Sequence, residues 1–126
     1  MELSYWFEKL LDSKTIIVRV FGELFLEDFV KINLEFRQKA VELNYSLILD
    51  FRATINYLNY NQISYFKQFV CLNELDHSKH IPTVYLTNLK DKGMFEFIEA
   101  ISIDFGLVVK CTQDEQAATE WVAKLL

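Results

Sequence analysis

The sequence predicts an α/β domain in which a mostly parallel sheet follows an N-terminal antiparallel hairpin. Of the 126 residues, 52% are hydrophobic, so the chain can bury a core, and its length suits a single domain over residues 1–126. Only three Gly and one Pro occur, too few for an all-β protein built on tight turns. Hydrophobic periodicity predicts the order β-β-α-β-α-β-α-β-α, with four helices.

The first two strands are expected to form the hairpin. Leu3–Leu11 alternates loosely between apolar and polar side chains, and Thr15–Phe21 is dense in β-branched residues. Asp12–Lys14 between them is typical of a turn. Because the gap is short, the two strands should pair antiparallel, and Gly22 is expected to end the second.

The clearest helix is predicted over Leu26–Leu43, where apolar side chains recur at three- and four-residue spacing. Glu27 and Asp28 favour a helix N-terminus at its start, and Asn44 favours an end after Leu43. The almost continuous apolar run Leu47–Phe51 then predicts a strand buried on both faces of a parallel sheet.

The polar and aromatic stretch Arg52–Asn61 is interpreted as a loop. Asn59 or Asn61 could cap a second helix over Gln62–Leu75, whose wide apolar face predicts burial. The rest of the chain repeats strand and helix twice. Its predicted elements are the strand Thr83–Thr87, a helix from Met94 to about Phe105 closed by Gly106, the strand Leu107–Cys111, and a final helix carrying Ala117 to Leu125 and capped by Thr112 or Asp114.

Composition excludes several function classes. A formal net charge of −5 argues against a duplex nucleic acid partner, which needs a basic face. No apolar stretch approaches the roughly 20 residues that span a bilayer, and Glu8 and Lys9 interrupt the apolar start too early for a secretory signal. Cys71 and Cys111 match no metal or redox spacing and are expected to be buried thiols. These features predict a cytoplasmic protein.

The order of elements, together with four local stretches, resembles the STAS fold of the anti-sigma-factor antagonists and the small uncharacterised SpoIIAA-like proteins. The stretches are Ile17–Leu24 leading into the first helix, Leu47–Arg52, Lys92–Glu99, and Val108–Lys110 with Asp114–Ala117. The resemblance covers nearly the whole chain. It implies a SpoIIAA-like α/β fold and a role in binding another protein.

The sequence departs from the antagonists at their regulatory serine. In that family a partner kinase phosphorylates a serine in an Asp-Ser-Ser-Gly type loop, which switches binding. The matching stretch here, Thr54–Asn61, contains no serine and no glycine. Thr54 lies too early and Ser64 lies inside the predicted helix, so we expect no serine phospho-switch at Asn59–Asn61.

Polar residues lie at and beyond the carboxyl end of the predicted strand Leu47–Phe51, where open α/β sheets bind ligands. These candidates are Asp50, Arg52, Thr54 and Asn56. They could form a patch for a partner or a small ligand. Alternatively, Asp50 accepts backbone hydrogen bonds and pairs with Arg52, which is the favoured interpretation.

Two aromatic features suggest interfaces. Tyr57 and Tyr60, interleaved with Asn56, Asn59 and Asn61 and followed by Tyr65, could bind a protein or could simply cover the sheet edge and helix end. Trp6 and Phe7 lie on the first strand, which could pair with a second copy of the chain in a homodimer.

Catalytic and metal motifs are missing from the sequence. Asp76, His77 and His80 could bind a metal, but a solvated loop is the favoured interpretation because no second ligand pair supports a site. No Ser/His/acid or Cys/His set and no Gly-rich phosphate loop can be assembled. We therefore expect no enzyme activity, no metal and no cofactor.

The leading hypothesis is a non-enzymatic regulatory domain that acts by associating with another protein. The alternative is a carrier or sensor of a small apolar ligand, held in a pocket that the aromatic helices line against the sheet.

Overall fold

A computed structural model describes residues 1–64 and 78–125, and within them five strands form one sheet. The strands are β1 (Ser4–Leu10), β2 (Thr15–Leu24), β3 (Ser46–Asn56), β4 (Thr83–Leu86) and β5 (Val109–Thr112). They lie in the order β1-β2-β3-β4-β5. β1 pairs antiparallel with β2, and the remaining neighbours are parallel. The predicted α/β class and its hairpin are confirmed.

Three helices are described over their full length: α1 (Leu26–Leu43), α2 (Lys92–Asp104) and α3 (Glu115–Lys124). Residues 60–64 are also helical and follow Asn59, whose Oδ1 accepts the backbone N–H of Gln62 at 2.9 Å. The remainder of the predicted second helix, from residue 65 to Leu75, lies outside the described residues. Asn44 ends α1 in the left-handed conformation as expected (φ 58°).

Helices cover both faces of the sheet and create two cores. One core joins α1 and α2 to the face formed by Ile16, Val18 and Leu49. The other joins Ala118 and Val122 of α3 to the opposite face. Successive residues of a strand face opposite sides, so the doubly buried runs in β2 and β3 follow from helices on both faces.

Besides small offsets, such as β5 beginning at Val109 instead of Leu107, two sequence-based boundaries were wrong. Gly22 does not end β2, which continues to Leu24, because a glycine at φ +98° stays in the strand where another residue would be strained. The interpretation of Arg52–Asn61 as a loop fails for its first half, since β3 runs to Asn56. β3 is held there by parallel pairing to β2 as far as Leu24 opposite Asn56.

Candidate functional site

Four charged side chains meet midway along β2 and β3, level with the carboxyl end of β4, and we call Arg19, Asp50, Arg52 and Glu115 the ionic cluster. Arg52 donates to Asp50 through Nε to Oδ1 and through Nη2 to Oδ2, both at 2.9 Å. Arg19 Nη1 donates to Asp50 Oδ2 at 2.9 Å and to Glu115 Oε1 at 2.5 Å. Arg52 Nη2 also reaches Glu115 Oε1 at 3.0 Å. Two guanidinium groups thus balance two carboxylates.

Backbone register explains why these residues meet. Arg19 of β2 lies directly opposite Asp50 of β3, and the register shifts just beyond, between Arg19 and Phe21. Two residues of β3 then oppose one of β2, which is a β-bulge of the kind that redirects side chains. Glu115 is the first residue of α3, whose start is fixed by Asp114 accepting the N–H groups of Gln116 and Ala117.

The cluster holds its members in their charged forms. Burial raises the pKa of Asp50, but hydrogen bonds from Arg52 and Arg19 outweigh it, so the pKa lies below its ordinary value. The hydrogen bond from Arg19 lowers the pKa of Glu115, against the opposing effect of burial. The hydrogen bond to Glu115 correspondingly raises the pKa of Arg19. Neither carboxylate is poised to exchange a proton near neutral pH.

The arrangement is therefore suited to joining α3 to the sheet. The favoured interpretation of Asp50 is what the structure displays: its Oδ1 accepts the backbone N–H of Arg52 at 3.1 Å and the Arg52 side chain pairs with it. Arg19 and Glu115 were missed by sequence reasoning, because they lie 31 and 63 residues from their partners Asp50 and Arg52. A ligand-binding role for Asp50 and Arg52 stays a prediction.

Thr54 and Asn56 lie in β3 and make local hydrogen bonds. Thr54 is buried and its Oγ1 donates to the carbonyl of Phe51 at 2.8 Å. Asn56 Oδ1 accepts the backbone N–H of Leu58 at 2.9 Å, which shapes the turn after the strand. Neither residue is joined to the ionic cluster by a hydrogen bond that the structure records, and their predicted role in a shared binding patch stays a prediction.

Exposed rings gather where β2 and β3 end, and we call Phe25, Tyr57 and Tyr60 the aromatic surface. The rings of Phe25 and Tyr57 are stacked, with centroids 4.8 Å apart and planes 7° from parallel, and each residue is 47% exposed. Tyr60 packs edge-on against Phe97 at 4.9 Å while remaining 53% exposed. Asn61 is exposed beside them, and Tyr65 lies outside the described residues.

Phe25 was also missed by sequence reasoning, although the sequence contains a signal for it. It occupies the N-cap position of α1, where Ser, Thr, Asp or Asn usually accepts a backbone N–H, and it makes no such bond. An apolar residue there gives up helix stability and presents a ring to solvent. Such a local conflict is often found at functional positions.

Metal and thiol chemistry find little support in the part of the chain that the structure describes. Those residues contain no group of three His, Cys, Asp or Glu side chains placed to hold a metal ion. His80 is exposed, while Asp76, His77 and Cys71 lie outside the described residues. Burial, with the charges of Glu99 and Glu96, raises the pKa of Cys111 to about 11, which keeps this thiol protonated and unreactive.

Comparison with solved structures identifies the architecture. The chain is similar to an uncharacterised protein of the DUF3478 family with a SpoIIAA-like fold from Shewanella loihica PV-4. The alignment covers 95% of this chain and 93% of that one, with a TM-score of 0.59. The chain has a SpoIIAA-like fold. At 13% sequence identity the SpoIIAA-like neighbour shows the fold alone, and it confirms the resemblance drawn from the order of elements.

Other comparisons give the SpoIIAA-like chain no further relatives. No protein-family model matches it, and no curated protein matches it. Among the described residues, none of its helices combines the length and the apolar character needed to cross a membrane.

Proposed function

We propose that this SpoIIAA-like chain is a non-enzymatic domain that binds another protein through the aromatic surface. The observation that carries the proposal is the exposed stack of Phe25 on Tyr57. Aromatic residues of this kind lose little conformational entropy on binding and dominate interface energies. The backbone N–H of Tyr57 donates to the carbonyl of Leu24 at 2.9 Å, so the stack is held on the sheet before any partner arrives.

Charge beside the aromatic surface indicates which partner would fit. A groove of about 340 Å³ adjoins Phe25 and carries the carboxylates of Glu2, Glu23 and Asp28 with the amine of Lys31. Glu23 is already paired with the N-terminal amine of Met1 at 3.1 Å, so Glu2 and Asp28 supply the excess negative charge. The whole chain carries a net charge of −5. We therefore propose a protein partner that brings apolar side chains to the rings and basic side chains to this groove.

A Phe25→Ser bait tests the proposal without endangering the fold. Serine at an N-cap stabilises a helix by about 0.5–2 kcal/mol, which offsets a lost ring stack worth about 0.5–1.5 kcal/mol. In quantitative pull-downs from lysate of the source organism, wild type should enrich a basic protein that F25S loses. The purified pair should dissociate at least tenfold more readily with F25S, and binding should weaken as salt is raised.

The matched control is Leu89→Ser, which removes a large side chain that is 74% exposed in the segment after β4. L89S should retain the partner. Capture of the same proteins by all three baits, or of none by any, would contradict the proposal. A partner lost with L89S and kept with F25S would place the interface elsewhere.

The alternative of a small apolar ligand gains no supporting observation. Rings that could have lined a pocket between helix and sheet pack on one another instead. The ring centroid of Phe95 lies 5.4 Å from that of Phe51 and 5.9 Å from that of Tyr85. Ligand carriage therefore stays a prediction, as does the cytoplasmic location. Native mass spectrometry of gently purified protein checks the carrier hypothesis, which requires a co-purifying apolar molecule.

The stretch Thr54–Asn61, which matches the regulatory loop of the antagonists, contains no serine. Ser64 follows four residues into the helical segment and donates its hydroxyl to the carbonyl of Tyr60 at 3.0 Å, and Thr54 is buried. We expect no serine phospho-switch at Asn59–Asn61. Phosphorylation of Ser64 that altered partner binding would overturn this expectation.

A further inference from the structure

A helix side chain occupies the edge of the sheet at β5. β5 is an end strand of the sheet that the described residues form, so it has backbone groups that face away from β4, its one neighbour. One of these groups is already bonded, because the N–H of Cys111 donates to Glu99 Oε2 at 2.5 Å. Glu99 belongs to α2, so the bond joins the helix to the edge strand.

Pairing with β4 shows which backbone groups of β5 face outward. The N–H of Thr83 donates to the carbonyl of Val108 at 2.9 Å, and the N–H of Thr87 donates to the carbonyl of Thr112 at 3.0 Å. Successive residues of a strand direct their backbone groups to opposite edges, so those of Cys111 point away from β4. The N–H of Cys111 is therefore a donor that a strand added beside β5 would need.

A carboxylate is well suited to blocking this donor. A hydrogen bond to an ionised acceptor is about twice as strong as one between neutral groups, so Glu99 competes effectively with the carbonyl of an incoming strand. A charge at an edge also disfavours strand addition. The same charge acts on the Cys111 thiol, whose pKa is raised by burial and by the carboxylates of Glu99 and Glu96. β5 is only four residues long, so the loss of one donor removes much of what an added strand could gain.

From this geometry we infer that Glu99 is an autoinhibitory contact that closes the β5 edge to a strand from a second copy of the chain. A strand can pair with β5 over its full length only after the carboxylate of Glu99 leaves the N–H of Cys111, which breaks a charge-assisted hydrogen bond. The inference concerns α2 and β5 and makes no use of the aromatic surface. It is independent of the proposed partner-binding role, so each can fail without the other.

The decisive experiment removes the Glu99 carboxylate from the full chain. Every protein carries Trp6→Glu, which blocks pairing at the other edge strand, β1. In sedimentation velocity, the added change Glu99→Ala should strengthen self-association by at least about tenfold relative to the Trp6→Glu parent, because the bond to Cys111 no longer has to be broken. The matched control is Glu96→Ala, which removes another carboxylate of α2 whose charge reaches Cys111 but leaves the bond intact. It should associate like the parent.

Amide hydrogen exchange, followed by NMR on protein labelled with ¹⁵N, locates the association. The N–H of Cys111 should exchange slowly in the parent and faster in monomeric E99A. When E99A associates, protection should return at Val109–Thr112. If E99A does not fold, Glu99→Gln serves as the second variant, because it keeps the shape of the side chain and weakens the bond by removing the charge. It should shift self-association in the same direction by a smaller factor.

Three results would overturn the inference. The first is self-association of the folded Glu99 variants that is no tighter than that of the parent. The second is an equal strengthening in E96A, which would assign the effect to reduced repulsion between acidic chains. The third is protection that appears on association only at Ser4–Leu10, which would locate the contact at β1 and leave β5 without a role.

Discussion

Gly22 holds a position in β2 that a residue with a side chain could occupy only with strain. Its φ is +98°, and a Cβ built on it would lie 2.4 Å from the carbonyl oxygen of Glu2. The close approach lets the first residues lie along the strand, where the N–H of Glu23 donates to the carbonyl of Met1 at 3.0 Å. The glycine therefore serves strand pairing, where sequence reasoning expected a stop.

We expect Gly22→Ala to lower the free energy of unfolding by about 2–3 kcal/mol. A left-handed conformation costs a residue with a side chain about 1–2 kcal/mol, and the backbone clash adds to it. Urea unfolding measures the loss. Gly106→Ala is the matched control, since its φ is +82° but its added Cβ would meet nothing within 4 Å. Equal losses in the two variants would show that the contact with Glu2 is unimportant.

Among the elements, the attachment of α3 to the sheet depends most on a few charges. α3 is the one described helix on its face of the sheet, so no other described helix packs beside it. The ionic cluster connects its first residue to β2 and β3. Glu115→Gln should lower the free energy of unfolding at pH 7 by about 1 kcal/mol, a value limited by solvent screening of a carboxylate that is 37% exposed.

The difference in the free energy of unfolding between wild type and E115Q should shrink as the pH falls. The pKa of Glu115 is lower in the folded than in the unfolded chain, so its contribution is complete above about pH 5 and is lost as the pH falls through the lowered pKa. Urea unfolding at several pH values should show wild type and E115Q converging in acid. Glu120→Gln serves as control, since that carboxylate accepts from Gln116 on the same helix. If the free energies of unfolding of wild type and E115Q differ by the same amount at every pH, the contribution does not come from the charged Glu115 carboxylate.

Sequence reasoning succeeded where local patterns determine structure. α1 was predicted from Leu26 to Leu43 as observed, since its periodicity and its Asn44 stop are both local. The second half of β3 was missed because residues after the bulge are polar or exposed, and β2 holds them in the sheet through pairing that no local pattern encodes. The same limit applies to the ionic cluster. The pair of Asp50 and Arg52 was predicted because the two residues are only two positions apart, whereas Arg19 and Glu115 are distant in sequence and were not predicted as members.

At the scale of the whole molecule, β1 lies at one edge of the sheet that the described residues form. β1 is the first strand of the sheet, and Trp6 on it is 49% exposed. Tyr5 and Phe7 point to the other face, where each packs on Phe36 at 5.8 and 5.4 Å. Edge strands present unpaired backbone groups that can add a strand from another chain.

The geometry of β1 indicates which strand register the predicted homodimer would use. In a twofold antiparallel pairing centred on Phe7, Trp6 lies opposite Glu8 and Tyr5 opposite Lys9, so no like charges meet. Centring on Glu8 would instead oppose two carboxylates. We expect wild type to associate as its concentration rises in sedimentation velocity, and Trp6→Glu to remain monomeric because it places a second carboxylate opposite Glu8 of the other copy. Leu89→Glu should associate like wild type. A wild-type chain that stays monomeric at all concentrations would remove β1 as a self-association surface and leave the aromatic surface, which lies at the ends of β2 and β3, as the proposed interface.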